Sequence, residues 1–73
     1  MEKEFMIRSY GLQELAMCYF PYSSPKSASR QLKRWMMRAP RLMDALVAAG
    51  YHNGQRLLTP RQVHIIVDYL DPP

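Results

Sequence analysis

The chain is short of the residues that mark several protein classes. In 73 residues it holds one cysteine, three glycines and one tryptophan, and no acidic residue falls between Glu14 and Asp44. A lone Cys18 rules out an intramolecular disulfide, which points away from stapled extracellular scaffolds and toward the cytoplasm. Gly11, Gly50 and Gly54 are isolated and make no glycine-rich phosphate loop. No run approaches the ~20 apolar residues of a membrane span, and the start "MEKEFMIRSYG" lacks the apolar stretch of a signal peptide. Cys18, His52 and His64 are scattered singly, with neither zinc-finger nor H-E-x-x-H spacing. No metal or cofactor is therefore expected. A nucleophile pair of Cys18 with a histidine has no support in the spacing, and the chain is read as non-enzymatic.

What is present is charge of one sign. The net charge is +4. Six cations crowd into Ser24 to Arg41: Lys26, Arg30, Lys33, Arg34, Arg38 and Arg41. Such a balance favours anionic partners. Hydrophobic residues make up 48% and no low-complexity tract occurs, so the composition is globular. A chain of this length buries only about 60% of the surface that its unfolded form exposes. Residues 1–73 read as a single domain that gains from a partner or a dimer.

Local signals divide the chain into mostly helical pieces. Phe5 to Ser9 alternates weakly and reads as a strand or an extended arm. Leu12 to Phe20 reads as a helix with Leu12, Leu15, Ala16 and Tyr19 on one face, ended by Pro21. "PYSS" is a turn, after which Ser24 caps and Pro25 begins a second helix running to about Arg38. Ala39-Pro40 interrupts, and a third helix follows that Gly50 terminates in a left-handed conformation. Asn53-Gly54 marks a turn, and Arg56 to Leu58 is expected to pair with Phe5 to Arg8 as a two-stranded ribbon. Thr59, Pro60 and Gln62 form a capping box for a last helix ending near Leu70. The expected fold is mostly α: a small helix-turn-helix-like bundle of about four helices with one short ribbon.

The second helix separates its faces. Ala28, Leu32, Trp35 and Met36 cluster within about 100° of arc and should face the core. Lys26, Arg30, Lys33 and Arg34 centre on the opposite side, with Arg38 at its edge. Surface helices usually mix signs, whereas here like charges one turn apart repel by a few tenths of a kcal/mol each. A short helix containing Glu14-Leu15-Ala16, a turn and a longer basic helix is the layout of a helix-turn-helix, whose second helix enters the major groove with its N-terminal residues leading. Those residues are Lys26, Ser27, Arg30, Gln31 and Arg34. Arg pairs with guanine, Gln with adenine, and Ser with base or phosphate. Lys33, Arg38 and Arg41 suit phosphate, which positions without specifying. The proline-rich turn "CYFPYSSPKS" departs from the short glycine-containing standard.

Aromatic side chains offer a second route to nucleic acid, by stacking on bases. Tyr19, Phe20 and Trp35 are expected in the core, while Tyr22 and Tyr51 sit in turns.

The order "YGLQELAMCYFP…SPKSASRQLKRWM…AGYHNGQRLLTPRQVHIIVDYL" resembles a family of short uncharacterised bacterial proteins, a domain of unknown function from gut anaerobes. That resemblance implies no activity. A second similarity is to the DNA-binding domains of excisionases and mercury-resistance-type regulators. Leu15, Arg34, Trp35, Gly50, Tyr51 and Arg56 fit their order, and the helix from Pro40 to Ala49 departs from it. The similarity implies DNA as partner and a transcriptional or mobile-element accessory role. The alternative reading is a protein-interaction module or small accessory subunit whose basic face meets an acidic protein. On the last helix, Val63, Ile66, Val67 and Leu70 form the core stripe. Ile65 and Tyr69 lie outside it, as a candidate interface with a partner or a second copy. The face assignment on the second helix implies that Trp35→Ala costs about 3–5 kcal/mol in a denaturant titration.

Overall fold

A computed structural model describes residues 5–73. In chain order the elements are β1 (Tyr10–Gly11), α1 (Leu12–Tyr19), α2 (Pro25–Met37), α3 (Pro40–Ala48), β2 (Leu57–Leu58) and α4 (Pro60–Leu70). The fold is mostly α, four helices with one two-stranded antiparallel ribbon, as the sequence implies.

Helix ends fall where the capping chemistry puts them. The Ser24 hydroxyl accepts from the Ser27 N–H at 3.3 Å, and Pro25 opens α2. Thr59 accepts from the Gln62 N–H at 3.2 Å, and the Gln62 carbonyl oxygen accepts from the Thr59 N–H at 3.0 Å, completing a reciprocal box. Gly50 has φ of 90°. Around it the Tyr51 N–H donates to Leu46 O at 2.9 Å and the Gly50 N–H to Val47 O at 3.0 Å, the two bonds of a Schellman cap. Tyr51 and Leu46, the two residues that motif joins, are both buried in the core. Gly11 begins α1 with no side-chain cap.

The ribbon forms at a register different from the expected one. Tyr10 pairs with Leu58 and Gly11 with Leu57, and the Leu12 N–H donates to Arg56 O at 2.7 Å. This pairing places two buried side chains, Tyr10 and Leu58, at facing positions. Phe5 is not a strand residue: its ring stacks on Tyr10 at 5.1 Å and 9°, and the Tyr10 hydroxyl donates to Met6 O at 2.9 Å. Phe5 and Met6 therefore pack against Tyr10 instead of extending the sheet.

One core cluster draws on every helix: Leu12, Leu15 and Ala16 from α1, Ala28, Leu32 and Met36 from α2, Leu42 and Leu46 from α3, Val63 and Ile66 from α4. Val67 and Leu70 pack at its margin, and so does Ile65. Gln62 is the buried polar residue within it. Trp35 does not join the core; it is 40% exposed. The buried stripe of α2 runs in steps of four residues and centres on Leu32, so Trp35 sits about 60° to one side. There its ring makes T-shaped contacts with Phe20, at 4.7 Å, and Tyr19, at 6.2 Å, both themselves partly buried. The Tyr19 hydroxyl donates to Asp71 O at 2.7 Å, bringing the end of α4 onto α1.

Three outcomes follow from this packing. Trp35→Ala should cost about 1–2 kcal/mol in urea unfolding, well below the value for a buried aromatic, because its ring loses contacts on one side only. Gln62→Ala should cost about 2–4 kcal/mol, since it strands the Thr59 N–H and Ala49 O and opens a cavity; a loss under about 0.5 kcal/mol would show these groups to be satisfied by water. Burial, reinforced by the Asp71 charge, pushes the Tyr19 phenol up to about 12, and burial pushes Tyr51 up as well. Both favour the neutral phenol in the folded chain. The Tyr19 share of that stabilisation is complete below the ordinary tyrosine value of about 10 and lost as pH rises through about 12. Tyr19→Phe should shrink that alkaline decline in melting temperature, leaving the Tyr51 share; an unchanged decline would exclude the Tyr19 phenol as its source.

Candidate nucleic-acid interface

The face of α2 opposite its core stripe carries the charge. Lys26, Arg30 and Arg34 are exposed and Lys33 is half-buried; together they span about 100° of helix surface. The ion pairs found among the described residues are Arg8–Glu14 at 3.0 Å and His64–Asp68 at 3.8 Å, so no described carboxylate neutralises these four. Arg38 caps the C-terminal end of α2 at the flank of this face, and Arg41 stands exposed in the first turn of α3. Six predicted cations thus divide into four on one face and two at its margin.

Ser27 and Gln31 do a different job in this structure. The Gln31 amide nitrogen donates to the Ser23 hydroxyl at 2.9 Å and approaches the Ser27 hydroxyl at 3.3 Å. With the Ser23 N–H donating to Phe20 O at 3.1 Å, these bonds hold the five-residue turn from Phe20 to Ser24 against α2. Polar side chains stiffen the turn where a shorter one would use glycine. Tyr22 projects from it fully exposed, whereas Tyr51 is buried.

Two features escaped the sequence reading. The first is a cleft of about 620 Å³ lined by Gly11 to Glu14 at the start of α1, Ser29 and Lys33 of α2, and Gly54 to Arg56. Glu14 is its acid. The Arg8 guanidinium and the Gly11 N–H, at 3.0 and 3.1 Å, hold that carboxyl below the usual range. Arg8 also lies over the Tyr10 ring at 3.7 Å. The second is an apolar groove of about 290 Å³ between α2 and α3, lined by Met36, Met37, Met43, Val47, Tyr51 and His52, with Lys33 and Asn53 at its rim. Met37 and Val47 are 75% and 59% exposed. The available signal was that both fall off the core stripes of their helices. Tyr69 is 49% exposed and Ile65 packs on the core margin.

The residues suited to chemistry stay apart. No cluster of three or more His, Cys, Asp or Glu occurs among the described residues. Partial burial and the Glu14 charge push the Cys18 thiol up, which disfavours its thiolate. No helix among the described residues is long and apolar enough to cross a membrane.

A family profile described as a domain of unknown function, DUF4248, matches residues 6–73. The chain belongs to this family. The matched DUF4248 stretch takes in both strands and all four helices. No curated protein and no solved structure matches the chain.

Proposed function

We propose that the chain is a small DNA-binding module of helix-turn-helix type, non-enzymatic, serving transcription or a mobile element as an accessory factor. The observation that carries this reading is the exposed face of Lys26, Arg30, Lys33 and Arg34, free of described carboxylate partners and backed by an apolar stripe. The order α1, turn, α2 supports it, because α1 packs along α2 and leaves the cationic face outward. So does the similarity of Leu15, Arg34, Trp35, Gly50, Tyr51 and Arg56 to the order found in excisionase and mercury-resistance-type regulator domains, which α3 interrupts. On this reading Arg30 and Arg34 meet base edges, where arginine pairs with guanine. Lys26, Lys33, Arg38 and Arg41 meet phosphates. Gln31 reads a base only by giving up Ser23, so its first role is to set the turn.

A second reading is a protein-interaction module whose partner is acidic. The exposed Met37 and Val47 favour it, since methionine-lined grooves accept apolar helix faces. A salt titration separates the two. Duplex affinity should fall with a log–log slope of about −3 to −5, near −0.9 per phosphate neutralised. The double variant Arg30→Ala/Arg34→Ala should bind random duplex at least tenfold more weakly with its melting temperature unchanged. Undiminished binding would reject α2 as the recognition helix, and no duplex binding at low salt by the unaltered chain would leave the interaction reading in its place.

A further inference from the structure

We infer that the cleft between the start of α1, the middle of α2 and the Gly54–Arg56 segment is a site for one phosphate group. It goes beyond the DNA-binding reading and stands without it.

Two cations reach the cleft from separate elements, Lys33 from α2 and Arg56 from the loop before β2. The backbone fixes the loop beside α1: Arg56 O accepts the Leu12 N–H at 2.7 Å, pinning the loop to the first residue of α1. The acid on the cleft wall, Glu14, is already engaged by Arg8 and by the Gly11 N–H. With Arg8 counted against Glu14, Lys33 and Arg56 set the balance, and the cleft is cationic. On the same wall the buried Ser29 hydroxyl has no hydrogen-bond partner among the described residues. Gly11 supplies no side chain to the first turn of α1, so the Gln13 and Glu14 amides are left without a side-chain cap. Charged donors from two directions, a free hydroxyl and uncapped amides suit a tetrahedral oxyanion. About 620 Å³ gives it room together with the group that carries it.

The amide spectrum of the full chain, titrated with inorganic phosphate, tests the site. Saturable shifts are expected at Gln13, Glu14 and Ser29, with affinity lowered at least tenfold in Arg56→Gln and in Gly11→Asp. Residue 11 has φ of −63°, and an added Cβ meets nothing closer than 3.8 Å. Gly11→Asp therefore caps α1 and should hold or raise the melting temperature while its carboxylate displaces phosphate. Lost binding with retained stability cannot be attributed to unfolding. Shifts absent from Gln13 and Glu14, or unaltered in both variants, would overturn the site. Duplex titrations then identify the source. A salt slope shallower by about one unit in Arg56→Gln assigns the site to a nucleic-acid backbone phosphate. An unchanged slope, or no duplex binding, with the phosphate titration positive, assigns it to a free phosphate monoester; the second of these also rejects the DNA reading.

Discussion

The Gln62 side chain is the junction on which the rest of the molecule hangs. Its amide nitrogen donates to Ala49 O at the end of α3, at 3.1 Å. Its oxygen accepts from the Thr59 N–H and from the Gln55 amide, at 3.0 and 2.6 Å. Gln55 in turn donates to Leu57 O at 2.7 Å and accepts from the His52 N–H at 3.2 Å. One buried amide thus ties two helix ends and the whole connection between them. A buried amide left unpaired would cost more than a typical hydrogen bond contributes, so the arrangement has few alternatives. It sets where β2 runs, β2 sets where β1 pairs, and that pairing places the first turn of α1 beside Arg56 and Lys33.

Next to this connection α2 works as a divider. Ala28, Leu32 and Met36 anchor it, while its outer face carries charge that pairs with no described carboxylate. Lys33 occupies a boundary position that borders both the polar cleft and the apolar groove. A partner approaching the cationic face therefore meets two different surfaces on either flank of one residue.

Much of this was legible in the sequence where a residue acts locally. Ser24, Pro25, Gly50, Thr59 and Gln62 announced their helix ends because capping depends on a few adjacent atoms. Trp35 was misplaced because periodicity gives an angle around the helix but not what covers that angle; Tyr19 and Phe20 cover only one side. The ribbon register was misjudged because alternation in Phe5 to Ser9 carries no record of the Tyr10 ring on which Phe5 folds. The four central cations were legible as a face. Arg56 and Ser29 were not legible as parts of a site, since their meeting depends on a pairing between distant segments. Met37 and Val47 lie off the core stripes of their helices, but periodicity does not show that α2 and α3 bring them to one groove.

The contacts that close the structure differ in reach. The α1–α2 unit forms from neighbours in sequence, whereas the Tyr10–Leu58 pairing and the Tyr19–Asp71 bond, 52 positions apart, span most of the chain. Closing such loops is entropically costly and slow compared with local helix pairing. A ribbon of two residues per strand gives little enthalpy to hold that closure. On these grounds the α1–α2 pair is expected to assemble ahead of the ribbon, and the ribbon to open first. The basic face rests on contacts local in sequence, whereas the cleft is built from segments that only the long-range closure brings together.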